Sequence, residues 1–336
     1  MKRAIIFLTI FALMGLNRSA TAQPETLVSM KSNVATVTIK VEWTPATAIV
    51  KANGVVLTND VSVYNSIPVN EEGMVFITTE ENAQLTQLDC SDNHLTELDV
   101  TNNTALTRLA CRNNQVTTLD ITNNTALTAL NCSNNQLSEL DVTNNTRLTG
   151  LFCSDNQLTE LDITNNTALT ALSCNNNQLT ELDVTNNTAL QYLYCHYNQF
   201  TELDVTNHTK MTLLYCPFNL LTELDISNNT ILTELYCYSN HLRKLDVTNN
   251  TALILLYANG QQIEVSILAG ATTFSNPVLY KTPAGEQKVR IEETEYVYQA
   301  DVPITGDTIE FTTTPPTKIK YGAAFGGTIT LSPSER

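Results

Sequence analysis

Eight cysteines recur at intervals of 21 residues: Cys90, Cys111, Cys132, Cys153, Cys174, Cys195, Cys216 and Cys237. Thiols in that number can pair as disulfides or ligate zinc. The spacing argues against both. Each Cys takes the third apolar position of a strand-like run, and in-register side chains on stacked parallel strands point the same way, about 4.8 Å apart. A disulfide needs converging Cβ atoms nearer about 3.8 Å, and a straight column cannot surround zinc tetrahedrally. The thiols read as small buried hydrophobes. The carboxylates form a second column, Asp99, Asp120, Asp141, Asp162, Asp183, Asp204, Asp225 and Asp246, flanked by Glu97, Glu139, Glu160, Glu181, Glu202 and Glu223. Glycoside hydrolysis uses paired carboxylates, but one must be acid and the other base, in unlike surroundings. A regular column gives each member the same surroundings. Calcium bridging between neighbouring coils is open to such an oxygen-rich face; the default reading is a solvated acidic surface. His94, His196, His208 and His241 are scattered, without a nucleophile at a recognisable spacing, and no Gly-rich phosphate loop occurs. No catalytic residue, metal ligand or cofactor site is assigned, and the expectation is a protein that is not an enzyme.

One column departs from this regularity. The outward position just before each Cys reads Ala110, Asn131, Phe152, Ser173, Tyr194, Tyr215, Tyr236 and, before Ala258, Tyr257. Nearby stand Tyr192, His196, Tyr197, Phe218 and Tyr238. Stacked aromatics can support cross-strand packing or lie beneath a following domain. They can also form a recognition patch, because Tyr offers contact area at low entropic cost. The candidate binding residues are Phe152, Tyr192, Tyr194, His196, Tyr215, Tyr236, Tyr238 and Tyr257. A protein partner is the first expectation, on a host or neighbouring cell. The alternative is a polysaccharide-binding or carbohydrate-active protein that uses the same tyrosines with nearby carboxylates on a glycan.

The elements that must position these residues follow from the same period. Leu98-Asp99-Val100 recurs through Leu245-Asp246-Val247, and Asn102-Asn103-Thr104 recurs with one lapse at Asn207-His208-Thr209. Self-similarity at such a period marks a stacked solenoid. Each unit holds two half-patterns, Leu95-x-x-Leu98-x-Val100-x-x-Asn103 and Leu106-x-x-Leu109-x-Cys111-x-x-Asn114. A coil of 21 residues has room for two short strands and two turns, with Leu98, Val100, Leu106, Leu109 and Cys111 pointing inward. The half-patterns resemble the leucine-rich-repeat consensus, in its nested bacterial subtype of 20 or 21 residues, with bacterial internalins as more distant relatives. The fold expected is a β-rich repeat solenoid of leucine-rich-repeat type, with parallel β-ladders built from two short strands per coil and β-rich flanking caps or domains. Asn103 and Asn114, with their equivalents, sit where the chain leaves each half-pattern, where an amide bonds turn backbone. The Asn-x-Thr sequons fall in that same obligatory turn.

Composition sets the wider bounds. A chain of 336 residues with 42% hydrophobic and 15% charged residues is folded, since a disordered one would carry less apolar and more charged sequence. The net charge is −16, which repels phosphate backbones and anionic lipid, so nucleic acid is not an expected partner. Residues 1–22 read as a signal peptide: Lys2-Arg3, an apolar stretch from Ala4 to Leu16, and Ala20-Thr21-Ala22 before Gln23. The apolar stretch is too short to span a bilayer, which takes about 20 residues, and no later stretch serves as a transmembrane segment. Without the leader, 15 basic residues face 34 acidic ones, a net charge of −19. The expected organisation is signal peptide 1–22, β-rich N-terminal cap 23–84, solenoid 85–259 and β-rich C-terminal cap or small domain 260–336. The expected location is outside the cytoplasm: secreted, on the cell surface, or in a periplasm.

Overall fold

The structure, a computed structural model, describes residues 25–44, 50–53, 55–60, 62–79 and 84–258, and beyond them only the backbones of five short strands. The leader expected at 1–22 and most of the expected region 260–336 lie outside the described residues. All regular structure among the described residues is β. The chain enters through β1 (Glu25–Ser32), β2 (Thr36–Thr44), β3 (Val50–Ala52), β4 (Val55–Val56), β5 (Asn65–Pro68) and β6 (Met74–Thr79). The first coil carries β7 (Gln84–Asp89) and β8 (Leu95–Asp99). Each later coil adds one three-residue strand: β9 (Arg108–Ala110), β10 (Ala129–Asn131), β11 (Gly150–Phe152), β12 (Ala171–Ser173), β13 (Tyr192–Tyr194), β14 (Leu213–Tyr215) and β15 (Glu234–Tyr236). β16 (Lys244–Asp246) and β17 (Leu255–Tyr257) complete the stack.

One parallel ladder runs the length of the solenoid, with each residue facing its counterpart 21 positions on. Leu88 faces Leu109, Leu109 faces Leu130, and so on to Leu235 facing Leu256. These middle leucines are buried, while their strand neighbours point outward, as the period-2 alternation of a strand requires. Within a coil, Leu127, Leu130, Cys132, Leu137, Leu140 and Val142 all turn inward and stack on the next coil's set. Phe200 and Met211 fill positions that Leu holds in the neighbouring coils, and both are fully buried.

The Leu98-x-Val100 half-pattern departs from the expected two strands per coil. Its strands form only at the ends, as β8 and β16; in the coils between, residues such as Thr118 to Asp120 join no ladder. A single recurring backbone bond links the coils on this side, such as Gln136 N–H to the Val116 carbonyl at 2.9 Å. At the two ends a segment outside the repeats supplies the pairing: β1 runs antiparallel to β8, and the strand at Glu264–Ser266 runs parallel to β16. After this half-pattern the chain closes a local turn: Asp120 Oδ1 accepts from Thr122 N–H, 3.0 Å, and Thr122 Oγ1, 2.7 Å, as Asp99 Oδ1 does from Thr101 after β8.

Both ends of the stack are paired, which removes exposed strand edges. β2 lies antiparallel to β7, with Val41 opposite Leu88, and β5 pairs with β2. β1 pairs with β8 and β6, and Lys31 Nζ reaches Glu97 at 2.9 Å. At the far end, the strand at Val278–Lys281 runs antiparallel to β17, and the strand at Glu264–Ser266 runs parallel to β16.

Candidate functional site: an aromatic surface on the parallel sheet

The ladder brings the tyrosine column into one row. Its register sets Tyr194 opposite Tyr215, Tyr215 opposite Tyr236 and Tyr236 opposite Tyr257. The ring centroids lie 6.1, 4.6 and 4.9 Å apart, and the last pair stacks at 10°. The turn that follows each strand adds a second rank. His196 meets Tyr215 edge-on at 4.7 Å, and Tyr238 meets Tyr215 at 6.4 Å with their hydroxyls 3.0 Å apart. Tyr238 also approaches Tyr257, at 6.5 Å. Six of the candidate residues thus form one continuous cluster over four coils.

Two candidates stand apart. Phe152 lies two coils before Tyr194, with Ser173 between them, and its ring lies down over Gly150: a Cβ there would meet Phe152 Cε2 at 3.2 Å. Tyr192 occupies the other outward column, opposite Leu213, and is 44% exposed. Conversely, the cluster includes Tyr197 and Phe218, which the candidate set omitted. Their rings stack at 4.3 Å and 7°, and both are exposed. Phe218 meets Tyr238 at 5.3 Å, and Tyr197 meets His196 at 5.6 Å. The signal was available at the same period of 21, where the column Asp92, Asn113, Asn134, Asp155, Asn176, Tyr197, Phe218, Ser239 changes from amides and carboxylates to rings.

The surface is nearly uncharged. Across the outward positions of β13, β14, β15 and β17 and the turns after β13 to β15, Glu234 is the single Asp, Glu, Lys or Arg side chain. Tyr236 Oη donates to Glu234 Oε2 at 3.2 Å. Burial, reinforced by that carboxylate, raises the Tyr236 phenol well above its ordinary pKa; burial and the Tyr215 hydroxyl do the same for Tyr238. Burial also lowers the His196 pKa, against a smaller opposing pull from Asp155, so its ring is neutral at pH 7. The rings present apolar faces with hydroxyl tips, a chemistry of contact rather than of proton transfer.

No protein-family model matches the chain, and no curated protein matches it. Among solved structures, the functional domain of InlJ from Listeria monocytogenes, which includes a cysteine ladder, matches at 45% identity over 56% of this chain and 42% of that one, with a TM-score of 0.53. The chain has a leucine-rich-repeat fold and is distantly internalin-like. A leucine-rich-repeat protein of Leptospira interrogans matches at 26% identity, covering 52% of this chain and 49% of that one, with a TM-score of 0.49. The internalin InlF of Listeria monocytogenes matches at 24%, covering 52% and 53%, with a TM-score of 0.45. The chain therefore spans about half or less of each of these relatives.

The ladders of this leucine-rich-repeat solenoid account for its other chemically active residues. All eight cysteines are buried thiols, and burial raises their pKa values, to about 12 for Cys174 and Cys216. The aspartates are spent in turns: Thr hydroxyls, then Thr backbone N–H groups, hold Asp141, Asp162, Asp183 and Asp204 below the usual carboxylate pKa. They line a groove of about 1200 Å³ with Glu139, Glu160, Glu181 and Glu202. Among the described residues no cluster of three or more His, Cys, Asp or Glu side chains is arranged to hold a metal. No helix of the described residues is long and apolar enough to cross a membrane.

Proposed function

We propose that the protein is an exported, non-catalytic binding module that engages a protein partner through the aromatic half of its parallel sheet. The observation that carries this reading is the continuous cluster of Tyr194, His196, Tyr197, Tyr215, Phe218, Tyr236, Tyr238 and Tyr257, laid over four coils on a rigid ladder. Large aromatic side chains concentrate binding energy at protein interfaces, and a repeat scaffold holds them at fixed spacing without ordering cost on binding. Similarity to the internalin domain supports the reading, as does the leader pattern at 1–22. The partner sits on another cell surface, and the C-terminal region 260–336 holds the end of the stack.

The test is binding of the labelled full chain to epithelial cells before and after surface proteolysis, beside a variant carrying Tyr194→Ser, Tyr215→Ser, Tyr236→Ser and Tyr257→Ser. Wild-type binding that is lost on proteolysis and absent in the variant is the expected result. Binding that survives proteolysis points to a glycan instead. Equal binding by both chains overturns the site.

A further inference from the structure

Tyr197 and Phe218 hold backbone conformations that ring-bearing residues avoid. Their φ angles are 51° and 53°, in the left-handed region. For residues with a Cβ that region brings side chain and carbonyl too close; Asn and Asp enter it most readily because their short polar groups bond locally. Five of the other six residues of this column are Asn or Asp, namely Asp92, Asn113, Asn134, Asp155 and Asn176, with φ between 52° and 60°, and the sixth is the small Ser239 at 52°. The Asn and Asp side chains form a ladder of their own. Asn113 Nδ2 donates to Asp92 Oδ1 at 2.7 Å, Asn134 Nδ2 to Asn113 Oδ1 at 2.9 Å, and Asn176 Nδ2 to Asp155 Oδ1 at 2.8 Å. At the next two coils the amides give way to two exposed rings stacked on each other. Folding alone favours Asn at both positions. Strain of this kind persists only where the surrounding structure fixes it, and it clusters at ligand-contacting sites.

Resting on the protein-binding reading above, we infer that the contact surface turns the corner from the sheet onto the strand-exit turns, with Tyr197 and Phe218 as affinity-determining residues for a partner segment bearing Arg or Lys side chains. The charge distribution selects that chemistry. Glu234 is the single carboxylate side chain on the aromatic face, and Asp155 borders it two coils from Tyr197 along the turn column. Tyr and Phe faces attract cations that are partly stripped of water, and the chain as a whole carries −16. A guanidinium over the Tyr236 and Tyr257 rings lies beside the carboxylate that Tyr236 already contacts.

The experiment measures an octa-arginine peptide binding to the full chain and to three variants: Tyr197→Asn with Phe218→Asn, Glu234→Gln, and Glu160→Gln with Glu181→Gln on the opposite, acidic side. The expected results are peptide binding weakened about tenfold or more by the first, weakened by the second and unchanged by the third. The thermal midpoint of the Asn pair should equal or exceed the wild-type value. A fall in that midpoint overturns the strain argument. No peptide binding by wild type overturns the cationic partner, as does equal loss in the third variant. Undiminished binding by the Asn pair, with binding lost in the four-tyrosine variant, removes Tyr197 and Phe218 while leaving the sheet site standing.

Discussion

Two asparagine columns look alike in sequence and differ in what they do. Asn135 uses both ends of its amide: Nδ2 donates to the Cys111 and Cys132 carbonyls at 3.0 and 3.1 Å, and Oδ1 accepts from Val116 N–H at 3.0 Å. Asn145 donates to the Ile121 and Asn124 carbonyls at 3.0 and 2.9 Å, but its buried Oδ1 has no partner. The second column therefore needs only a donor. That explains how His208 can replace Asn there, giving Nε2–H to the Val184 carbonyl at 3.0 Å. Asn135→Ala is expected to destabilise the chain by about 1–3 kcal/mol in urea unfolding, because it orphans a buried donor and two acceptors; Asn145→Ala should do less harm. A larger loss at Asn145 would contradict this ranking. The thiols make a second expectation at this scale. Buried and held protonated, they should resist a thiol-labelling reagent in the native chain at pH 8 and all react in denaturant. Labelling of the native chain would show an exposed Cys.

At the scale of elements, the period of 21 made the inner ladder, the Cys column and the tyrosine row legible, because each is a strand feature that repeats with the coil. The second ladder was misread because Leu98-x-Val100 and Leu109-x-Cys111 carry the same apolar spacing, and that spacing cannot report which of them finds a strand partner. Pairing on that side comes from β1 and from Glu264–Ser266, segments outside the repeat that a period of 21 does not encode. Tyr197 and Phe218 were passed over for a related reason: their meaning lies in a left-handed turn, where residue type matters more than hydrophobicity. The Asp turns also set the acid response. Their folded pKa values lie below the ordinary 3.8, so their stabilisation is complete above 3.8 and disappears as pH falls through the lowered values. The urea midpoint is expected to stay level between about pH 7 and 5 and to drop below about pH 4. A midpoint that rises on acidification to pH 3 would mean that relief of Asp–Asp repulsion outweighs the loss of these turn bonds.

The whole molecule divides its labour by side. One side of the stack is a ladder whose first half carries small or polar residues, Ala110, Asn131 and Ser173, with Phe152 as the exception, and whose second half carries rings. The other is an acidic groove built from turns. Net charge works over distance: at −16, association with a basic partner should slow as salt rises from about 0.05 to 0.5 M, because screening removes steering while the apolar contact remains. On the proposed reading, the aromatic half of the sheet is the surface that contacts the partner. The most direct test of that claim compares two paired variants of the full chain, Tyr215→Ser with Tyr236→Ser and Arg108→Ser with Asn131→Ser, in saturation binding to the same epithelial cells. Binding lost in the first pair and retained in the second is the expected result. Retention in the tyrosine pair, or loss confined to the Arg108 and Asn131 pair, would place the contact elsewhere on the molecule.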